Sequence, residues 1–226
     1  MPTRGQAQLA IWSDIEPELE TDYLHWLTRE HVLERVGVDG FLSGRVFRSE
    51  VAGKRRFFIT YELQEAAALA GPSYLARLNA PTPWSQRVMP ILQNFARGGG
   101  PVVARAGLGC GAVALPLRLD LETAGLLNED AQKALVERIA QLDAVAQVWL
   151  MRVDAAATGV PTREKAMRRS VEGAFDGVLV IEALHEAAAR AAVDGLLLAE
   201  LASADLPDRQ VFAACFQLDR RLAGLS

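Results

Sequence analysis

The sequence predicts an α+β fold made of two ferredoxin-like repeats, each with the order strand, helix, strand, strand, helix, strand. Short apolar runs typical of strands alternate with segments of helical period along the whole chain. The order of elements in residues 1–106 recurs in residues 107–226. A local match, in which Leu63–Ala70 resembles Leu184–Ala191, lies at the same strand-to-helix junction in both halves. Together these observations indicate a tandem duplication.

The first repeat begins with a strand over Gln8–Trp12, which is followed by a long helix. Acidic residues around Pro17 favour a helix start, because a carboxylate is stabilised near a helix N-terminus. The helix is expected to run to Val36 and to end near Gly37 and Gly40, where glycine can leave the helical conformation.

Two strands, an amphipathic helix and a closing strand complete this repeat, at Phe41–Glu50, Arg56–Leu63, Pro83–Phe95 and Val102–Ala106. Pro90 is expected to kink or split the second helix, because proline lacks the backbone N–H that the helix needs. The glycine-rich Gly98–Pro101 is predicted to be a break before the last strand.

The second repeat is predicted from the same signals, with elements at Ala112–Leu121, Asn128–Gln141, Val145–Val153, Gly177–Glu182, Ala183–Leu201 and Gln210–Leu218. Asn128 is a suitable N-cap for its helix. Residues 155–170 have no counterpart in the first repeat and carry four basic residues, Arg163, Lys165, Arg168 and Arg169. Two interpretations remain open for this segment: a solvated helical excursion, or a basic lid over an anionic ligand.

Both faces of the predicted sheets carry apolar residues, among them Phe41, Phe47, Phe57 and Phe58. Helices cover one face of each sheet, so the other faces are expected to pack against each other. One chain would then form an internal pseudo-dimer, an α/β barrel with a cavity between its sheets. The short link Gly98–Gly111 favours such close packing, and whether the chain also forms a homodimer is left open.

Composition excludes several classes of function. The 226 residues have a formal net charge of −4, which offers no basic footprint for nucleic acid. No apolar run approaches the ~18 residues of a membrane-spanning helix. The first residues lack the apolar centre of a signal peptide, so a cytoplasmic location is expected. Cys110 and Cys215 are too few for a disulfide framework or a metal cluster.

The stretch Asp22–Arg35 concentrates unusual side chains, including two of the three histidines. On a helical wheel one face is shared by Leu19, Tyr23, Trp26, Leu27, Glu30 and Leu33. Glu30 is the exception on this apolar face. A buried Glu30 would favour its protonated form and suit proton transfer. The alternative is that Glu30 lies at the edge of the stripe and pairs with Arg45 or Arg48.

His31 lies about 100° round the predicted helix from Glu30, beside Arg35, and is either a general base at a cavity rim or a hydrogen-bonded core residue. His25 falls on the polar side and is expected in solvent. The spacing of the two histidines excludes the i, i+4 pairing of a zinc-binding helix, and no metal site is predicted. His185 is expected to be a surface or capping residue.

Further candidates for the cavity wall are Tyr23 and Trp26 on the same helix, Tyr61 on the third strand and Trp84 at a helix start. Each would also suit ordinary core packing. Arg45 and Arg48 fall on opposite faces of the second strand, so only one of them can point into the barrel. The alternation leaves open which one does; Arg48 is taken as the ligand-binding candidate.

Residues 8–105 resemble the dimeric α/β-barrel superfamily, specifically its EthD-like branch. The resembling segments are Asp22–Trp26, Glu30–His31, Gly40–Arg48, Phe57–Leu63 and Pro81–Ser85. The second half resembles this fold only through its element order. Most relatives build the barrel from two identical chains, so a tandem version would build it internally. The superfamily includes cofactor-free monooxygenases, lactone isomerases, haem enzymes and proteins without an assigned activity, so the resemblance implies a fold and not a reaction.

The sequence therefore predicts a protein that binds a small, largely apolar organic molecule in its first repeat, with a mainly structural second repeat. Its chemistry would be cofactor-independent proton transfer, as in oxygenation or isomerisation, with Glu30 or His31 as the acid/base. The alternative is a non-catalytic ligand-binding or structural protein, and haem binding is a third interpretation. Whether the chain is an enzyme is left open, and no cofactor is expected.

Overall fold

The computed structural model describes residues 4–122, 124–169, 175–197, 209–221 and 224. Within these residues the strands are β1 (Ala7–Ile15), β2 (Phe41–Val51), β3 (Lys54–Leu63), β4 (Gln93–Gly107), β5 (Val113–Leu119), β6 (Val145–Arg152), β7 (Gly177–Ala183) and β8 (Phe212–Asp219). Within the first unit β3 pairs antiparallel with β1 and β2, and within the second unit β7 pairs antiparallel with β5 and β6. The α+β class is confirmed, whereas the two-repeat arrangement stays a prediction.

The helices are α1 (Glu20–Trp26), α2 (Val32–Val36), α3 (Pro72–Asn79), α4 (Pro83–Val88), α5 (Glu129–Ala140), α6 (Ala155–Thr158), α7 (Arg163–Met167) and α8 (Glu186–Ala192). Two π-helical turns, Leu27–His31 and Val193–Leu197, lie between α1 and α2 and after α8. Short 3₁₀ turns occur at Pro17–Leu19, Ala66–Ala70 and Met89–Ile91. In the described part of the chain, every helix is too short or too polar to cross a membrane.

The chain divides into two compact units. The first comprises Met1–Gly100, Asp154–Ala174 and Cys215–Ser226, and the second comprises Pro101–Val153 and Phe175–Ala214. The segment without a counterpart in the repeat pattern therefore belongs to the first unit. The repeat boundary at residue 106 stays a prediction, because compactness does not test common origin.

In the first unit, helices cover one face of the sheet that β1, β3 and β2 form. Alternate residues of these strands, such as Leu9 and Ile59, point to that face and are buried with Tyr23 and Trp26 of α1. The opposite face carries the aromatic side chains Trp12, Phe47 and Phe58. Their rings pack on one another, with centroid distances of 4.9 Å for Trp12–Phe58 and 5.7 Å for Phe47–Phe58.

The second unit has a core of its own, in which β5 and α5 pack together. Alternate residues of β5, including Leu115 and Leu117, are buried with Leu135 and Ile139 of α5. Asn128 is the N-cap of α5, as predicted: its side-chain oxygen accepts the backbone N–H of Asp130 at 2.8 Å.

His185 also caps a helix of the second unit, as the sequence predicted. Its Nδ1 accepts the backbone N–H of Ala188 at 3.2 Å at the start of α8. This helix begins at Glu186 rather than at Ala183, and the predicted extension beyond residue 197 lies outside the described residues.

The predicted helix Pro83–Phe95 is interrupted around Pro90, as the sequence indicated, but its last residues form a strand instead of a helix. Helix α4 ends at Val88, a 3₁₀ turn covers Met89–Ile91, and β4 already begins at Gln93. Pro90 explains the early end, because it cannot donate a backbone hydrogen bond to the preceding turn.

The predicted break at Gly98–Pro101 is wrong, because these residues lie inside β4. A Cβ atom on Gly99 would lie 2.7 Å from Leu69 Cδ1 and 3.1 Å from Leu9 Cδ1. The glycine is therefore needed for close packing against the core, as glycines in strand interiors often are.

We expect Gly99→Ala to destabilise the protein by about 1–3 kcal/mol, because the added methyl group overpacks the contact with Leu69 and Leu9. Urea unfolding of both proteins measures this difference. The matched control is Gly109→Ala, where the nearest atom to a new Cβ is Ala146 Cβ at an ordinary 3.7 Å. Equal stabilities of the two variants would contradict this account of Gly99.

Candidate functional site

The helix that opens the first unit contains a π-helical turn over Leu27–His31. A π turn holds one residue more than an α turn, and such turns frequently lie at functional sites. The side chains that share a face are therefore one residue further apart across this turn than in a regular helix. The rings of Trp26 and His31, five positions apart, stack with centroids 4.1 Å from each other.

The π turn changes which residues are buried. Beyond Leu27 the predicted face included Glu30 and Leu33, but Glu30 is only half-buried and Leu33 is 41% exposed. Leu19 is 37% exposed as well, but it lies before this turn. His31 and Arg35 are buried instead. The helical wheel assigned residues beyond Leu27 to the wrong face, because it assumes 3.6 residues per turn throughout the helix.

A cavity lies in the first unit, between the helices and the helix-covered face of the sheet. The volume in which the centre of a water-sized molecule can lie is about 40 Å³. By the same measure a single water molecule needs roughly 10–15 Å³. The helix side contributes Tyr23, Trp26, His31 and Arg35, and the strands contribute residues such as Ile11, Ile59, Phe95 and Arg97.

The sequence placed the cavity on the opposite face of the sheet, where the structure instead packs Trp12, Phe47 and Phe58. Arg45 also lies on that face, with its guanidinium 4.6 Å from the Phe47 ring. Large aromatic side chains therefore pack on the face of the sheet where the sequence predicted a cavity.

Residues 155–168, which we call the cover segment, form one wall of the cavity. Thr158, Glu164, Lys165 and Arg168 are among the residues that it contributes. The segment consists of the short helices α6 and α7, which begin at capping side chains: Asp154 accepts the N–H of Ala157 at 2.9 Å.

A buried ion pair joins the cover segment to the opening helix. Arg35 Nη2 donates to Glu164 Oε1, and the two side chains are only 2% and 5% exposed. Burial opposes the charge of Arg35, but the Glu164 carboxylate holds the pKa of the guanidinium above its ordinary value. The cover segment is therefore packed against the unit and is not a solvated excursion.

His31 is the titratable imidazole of this cavity. Its Nδ1 is buried and has no hydrogen-bond partner among the described residues. Burial and the neighbouring cations Arg35 and Arg168 lower its pKa well below the ordinary value of 6.5. The ring is therefore neutral at pH 7 and can accept a proton or a hydrogen bond.

Aromatic side chains of the wall are held by their own hydrogen bonds. Trp26 Nε1 donates to Ser85 Oγ at 3.1 Å, and the hydroxyl groups of Tyr23 and Ser13 are 2.8 Å apart. These bonds fix the two rings, because a buried polar group without a partner is costly. Burial also raises the pKa of Tyr23 above its ordinary value, so its hydroxyl stays protonated.

Positive charge is concentrated along the wall. Among the described lining residues four are cationic, Arg35, Arg97, Lys165 and Arg168, and one is acidic, Glu164. The guanidinium of Arg97 donates to Tyr74 Oη at 3.1 Å and to the Thr158 carbonyl at 3.0 Å, so it ties helix α3 to the cover segment.

Of the seven residues proposed from sequence, three line the cavity together: Tyr23, Trp26 and His31. Glu30 is half-buried, is not a lining residue, and accepts the Thr82 hydroxyl at 2.6 Å. Arg48 is an exposed partner of Glu20.

Tyr61 and Trp84 also lie outside the cavity lining. Tyr61 is fully buried, and its hydroxyl has no hydrogen-bond partner among the described residues. Trp84 Nε1 is 3.4 Å from Asp22 Oδ2 at the surface.

Sequence reasoning missed several residues of this site, notably Tyr74, Arg97, Glu164 and the role of Arg35. The spacing of His31 and Arg35, one helical turn apart, was a usable signal. No local signal links Glu164 to Arg35, because 129 positions separate them.

Within the described ranges, no three histidine, cysteine or acidic side chains come together to hold a metal ion. Haem does not fit the cavity, because about 40 Å³ for water-sized centres is far too little for a macrocycle.

No protein-family model and no curated protein matches the chain. Solved structures match it over nearly its full length. A "putative monooxygenase" of Fusobacterium nucleatum subsp. nucleatum has 12% identity and a TM-score of 0.57, covering 96% of each chain. An anthrone oxidase-like protein has 12% identity and a TM-score of 0.56, covering 94% of this chain and 93% of the other.

A mutant chlorite dismutase of Candidatus Nitrospira defluvii is similar as well, with 12% identity and a TM-score of 0.54 over 99% of this chain and 97% of the other. At these identities the likeness shows the fold alone. The fold is that of the dimeric α+β barrel proteins, as the resemblance in the sequence implied.

We expect Glu164→Gln to lower the free energy of unfolding by about 3–5 kcal/mol, because it leaves the Arg35 charge buried without its counter-ion. Urea unfolding measures the loss. The double variant Arg35→Met/Glu164→Leu should recover most of it, since an apolar pair needs no desolvation of charge.

The matched control is Glu186→Gln, which breaks the exposed pair of Glu186 with Arg190 and should cost less than about 1 kcal/mol. Similar losses in Glu164→Gln and Glu186→Gln would show that the Arg35–Glu164 pair is not effectively buried.

A second prediction concerns pH. Below about pH 6.5 the unfolded chain protonates His31 whereas the folded protein does not, so stability falls as pH falls. This residue alone should contribute about 1.4 kcal/mol per pH unit in that range, down to its folded pKa.

Urea unfolding from pH 7.5 to 5 should therefore show a steeper loss for the natural protein than for His31→Gln. His25→Gln is the control for replacing an imidazole on the same helix, where His25 contacts Arg29 at 3.1 Å. Parallel profiles of the natural protein and His31→Gln would contradict a neutral, buried His31.

Proposed function

We propose that this protein binds a small, largely apolar organic molecule in the first-unit cavity and that His31 transfers a proton there without a cofactor. The reaction class is isomerisation of a substrate with an acidic C–H or O–H bond, or its oxygenation, in which dioxygen is the oxidant that reacts with the deprotonated substrate. We further propose that the chain is a tandem, internally pseudo-dimeric member of the EthD-like branch and acts in the cytoplasm.

The observation that carries this proposal is the state of His31. It lines the cavity, it is neutral because its pKa is lowered, and its Nδ1 has no hydrogen-bond partner among the described residues. A neutral imidazole with an open nitrogen is a general base, and such a base contributes about 10²–10⁴-fold to a rate.

Arg35 is suited to stabilise the charge that proton removal creates. Its Nη1 is buried and has no hydrogen-bond partner among the described residues, while Nη2 is held by Glu164. A fixed donor directed at developing negative charge lowers the barrier without reorganising in the reaction. Tyr23 and Trp26 supply the apolar, rigid wall that orients an organic ring.

The structural neighbours support the oxygenase variant only through their names, since two of them are a "putative monooxygenase" and an anthrone oxidase-like protein. Glu30 stays the second acid/base candidate. Its contact with Thr82 and its position outside the lining make His31 the first choice.

A non-catalytic ligand-binding protein is the second candidate function. The small volume of the cavity and the buried ion pair that holds the cover segment both favour retention of a ligand over rapid exchange. The two functions differ in whether a bound molecule exchanges protons.

Proton transfer can be tested before the full reaction is known. Native mass spectrometry of freshly purified protein identifies a retained ligand, and a panel of enolisable and aromatic compounds is screened by ligand-observed NMR. For each binder, exchange of its acidic C–H with deuterated solvent is then followed. We expect the natural protein to accelerate this exchange and His31→Gln to lose at least about 100-fold while binding is retained.

Glu30→Gln is the matched variant, because it changes the neighbouring acid/base candidate. Loss of exchange in Glu30→Gln but not in His31→Gln would transfer the role to Glu30. Binding without exchange in the natural protein would favour the non-catalytic function, and the absence of any binder at millimolar concentration would contradict both.

A further inference from the structure

The cover segment is attached to the first unit by few apolar contacts. Of residues 155–168, all of which the structure describes, only Glu164 is fully buried, while Ala157 and Met167 pack against the core at partial burial. Helices α6 and α7 have four and five residues, too few to be stable by themselves. Segments with few buried apolar contacts open at a lower free energy than the core around them. The cover segment is therefore expected to open more easily than the rest of the cavity wall.

The connection that contains the cover segment leaves the sheet and returns to it at adjacent positions. It joins β6 to β7, whose ladder ends with the pair Arg152–Gly177, and the Val153 N–H donates to the Asp176 carbonyl at 2.7 Å. A loop whose ends are held together can move as a body while the strands that carry it stay paired.

Two accessible hydrogen bonds hold the cover segment against the rest of the first unit. Arg97 Nη1 donates to the Thr158 carbonyl at 3.0 Å, and the Arg163 backbone N–H donates to Asn79 Oδ1 at the end of α3 at 3.1 Å. The first bond is partly buried and the second is exposed, so water can replace both partners when the segment moves.

The third attachment is the buried ion pair of Glu164 with Arg35. Closing the segment removes both charges from water, which offsets much of their mutual attraction, and opening returns both charges to water. The pair therefore fixes the closed position of the segment without making opening prohibitively unfavourable. Its two partners must stay together, because either charge alone would be buried without compensation.

We propose that the cover segment is a lid on the cavity, which opens as a single body while the rest of the first unit stays folded, with the Arg35–Glu164 pair as its latch. This inference rests on the proposed function, since a molecule that binds in the cavity needs a route of entry, and it names the element that controls that route. The opposite wall cannot serve, because Tyr23 and Trp26 are fixed there by buried hydrogen bonds.

Native-state hydrogen exchange of the full-length protein measures this opening without any ligand. The Thr158 N–H in α6 donates to the Asp154 carbonyl, and the Ala166 N–H in α7 donates to the Thr162 carbonyl, both at 3.0 Å. We call these two groups the cover amides. Their protection should agree within about threefold, because one opening exposes both. It should be at least about 100-fold lower than that of β3, which pairs on both edges with β1 and β2.

Glu164→Gln tests the latch. It should lower the protection of both cover amides by the same factor, at least about 10-fold, because the closed state then buries Arg35 without its counter-ion. Arg35→Met/Glu164→Leu should return the protection at least to its natural level, since opening then exposes an apolar contact. Glu186→Gln, which breaks an exposed pair, is the control and should change the protection by less than about threefold.

Asn79→Ala gives the same test without disturbing the buried pair, and so covers the case in which Glu164→Gln fails to fold. It removes the acceptor of the Arg163 N–H at an exposed position. The protection of both cover amides should fall by the same factor, about 2- to 12-fold, as for the loss of one net hydrogen bond.

Access to the cavity is measured by the rate at which diethyl pyrocarbonate, a reagent for neutral imidazole, modifies His31. Mass spectrometry of the full-length protein follows the reaction. His25, on the same helix and only partly buried, is the internal reference. In Glu164→Gln and in Asn79→Ala the rate at His31 should rise by the factor by which the protection of the cover amides falls, whereas the rate at His25 should change by less than about threefold.

Equal protection of the cover amides and β3 would overturn the inference, because the segment would then open only with the whole protein. Unequal protection of the two cover amides would also overturn it, as would a rate at His31 that does not follow their opening. The proposed function stands in each case, because ligand binding and proton exchange are measured separately. A lid that opens as expected over a cavity that binds no probe would instead overturn the proposed function alone.

Discussion

The buried ion pair between Arg35 and Glu164 is the interaction on which the candidate site depends. Each charge would be strongly unfavourable alone in this environment, so the two side chains stabilise each other only when both are present. Their contact holds the cover segment against the opening helix and so builds one wall of the cavity. Glu164 binds Nη2 of Arg35, and Nη1 stays buried without a hydrogen-bond partner among the described residues.

The π turn at Leu27–His31 determines which polar side chain of this helix lines the cavity. In a regular helix Glu30 would follow Trp26 and Leu27 on the buried face, whereas the extra residue brings His31 there and leaves Glu30 beside Thr82. Burial and the proximity of Arg35 and Arg168 then lower the pKa of His31 and keep the imidazole neutral. Helix geometry therefore places His31 rather than Glu30 at the cavity, and electrostatics sets its protonation state.

Much of the fold followed from local patterns. Alternating apolar residues predicted β3 and β6 nearly to their bounds, and Asn128 and His185 were recognised as residues at helix starts. Predictions from the sequence failed where contacts between residues far apart in the chain determine the local structure. Gly98–Pro101 has the composition of a loop, but it lies in a strand, where a Cβ atom on Gly99 would crowd Leu69 and Leu9.

By itself the sequence determined the α+β class, the helix that carries the site and the aromatic residues Tyr23 and Trp26 of its wall, because periodicity and residue type are local properties. Only the tertiary structure decided that His31 rather than Glu30 faces the cavity, and that the cavity lies on the helix-covered face. It also decided the role of the cover segment. Arg35 and Glu164 are 129 positions apart, and their pairing arises from burial in the folded chain, which no local pattern records.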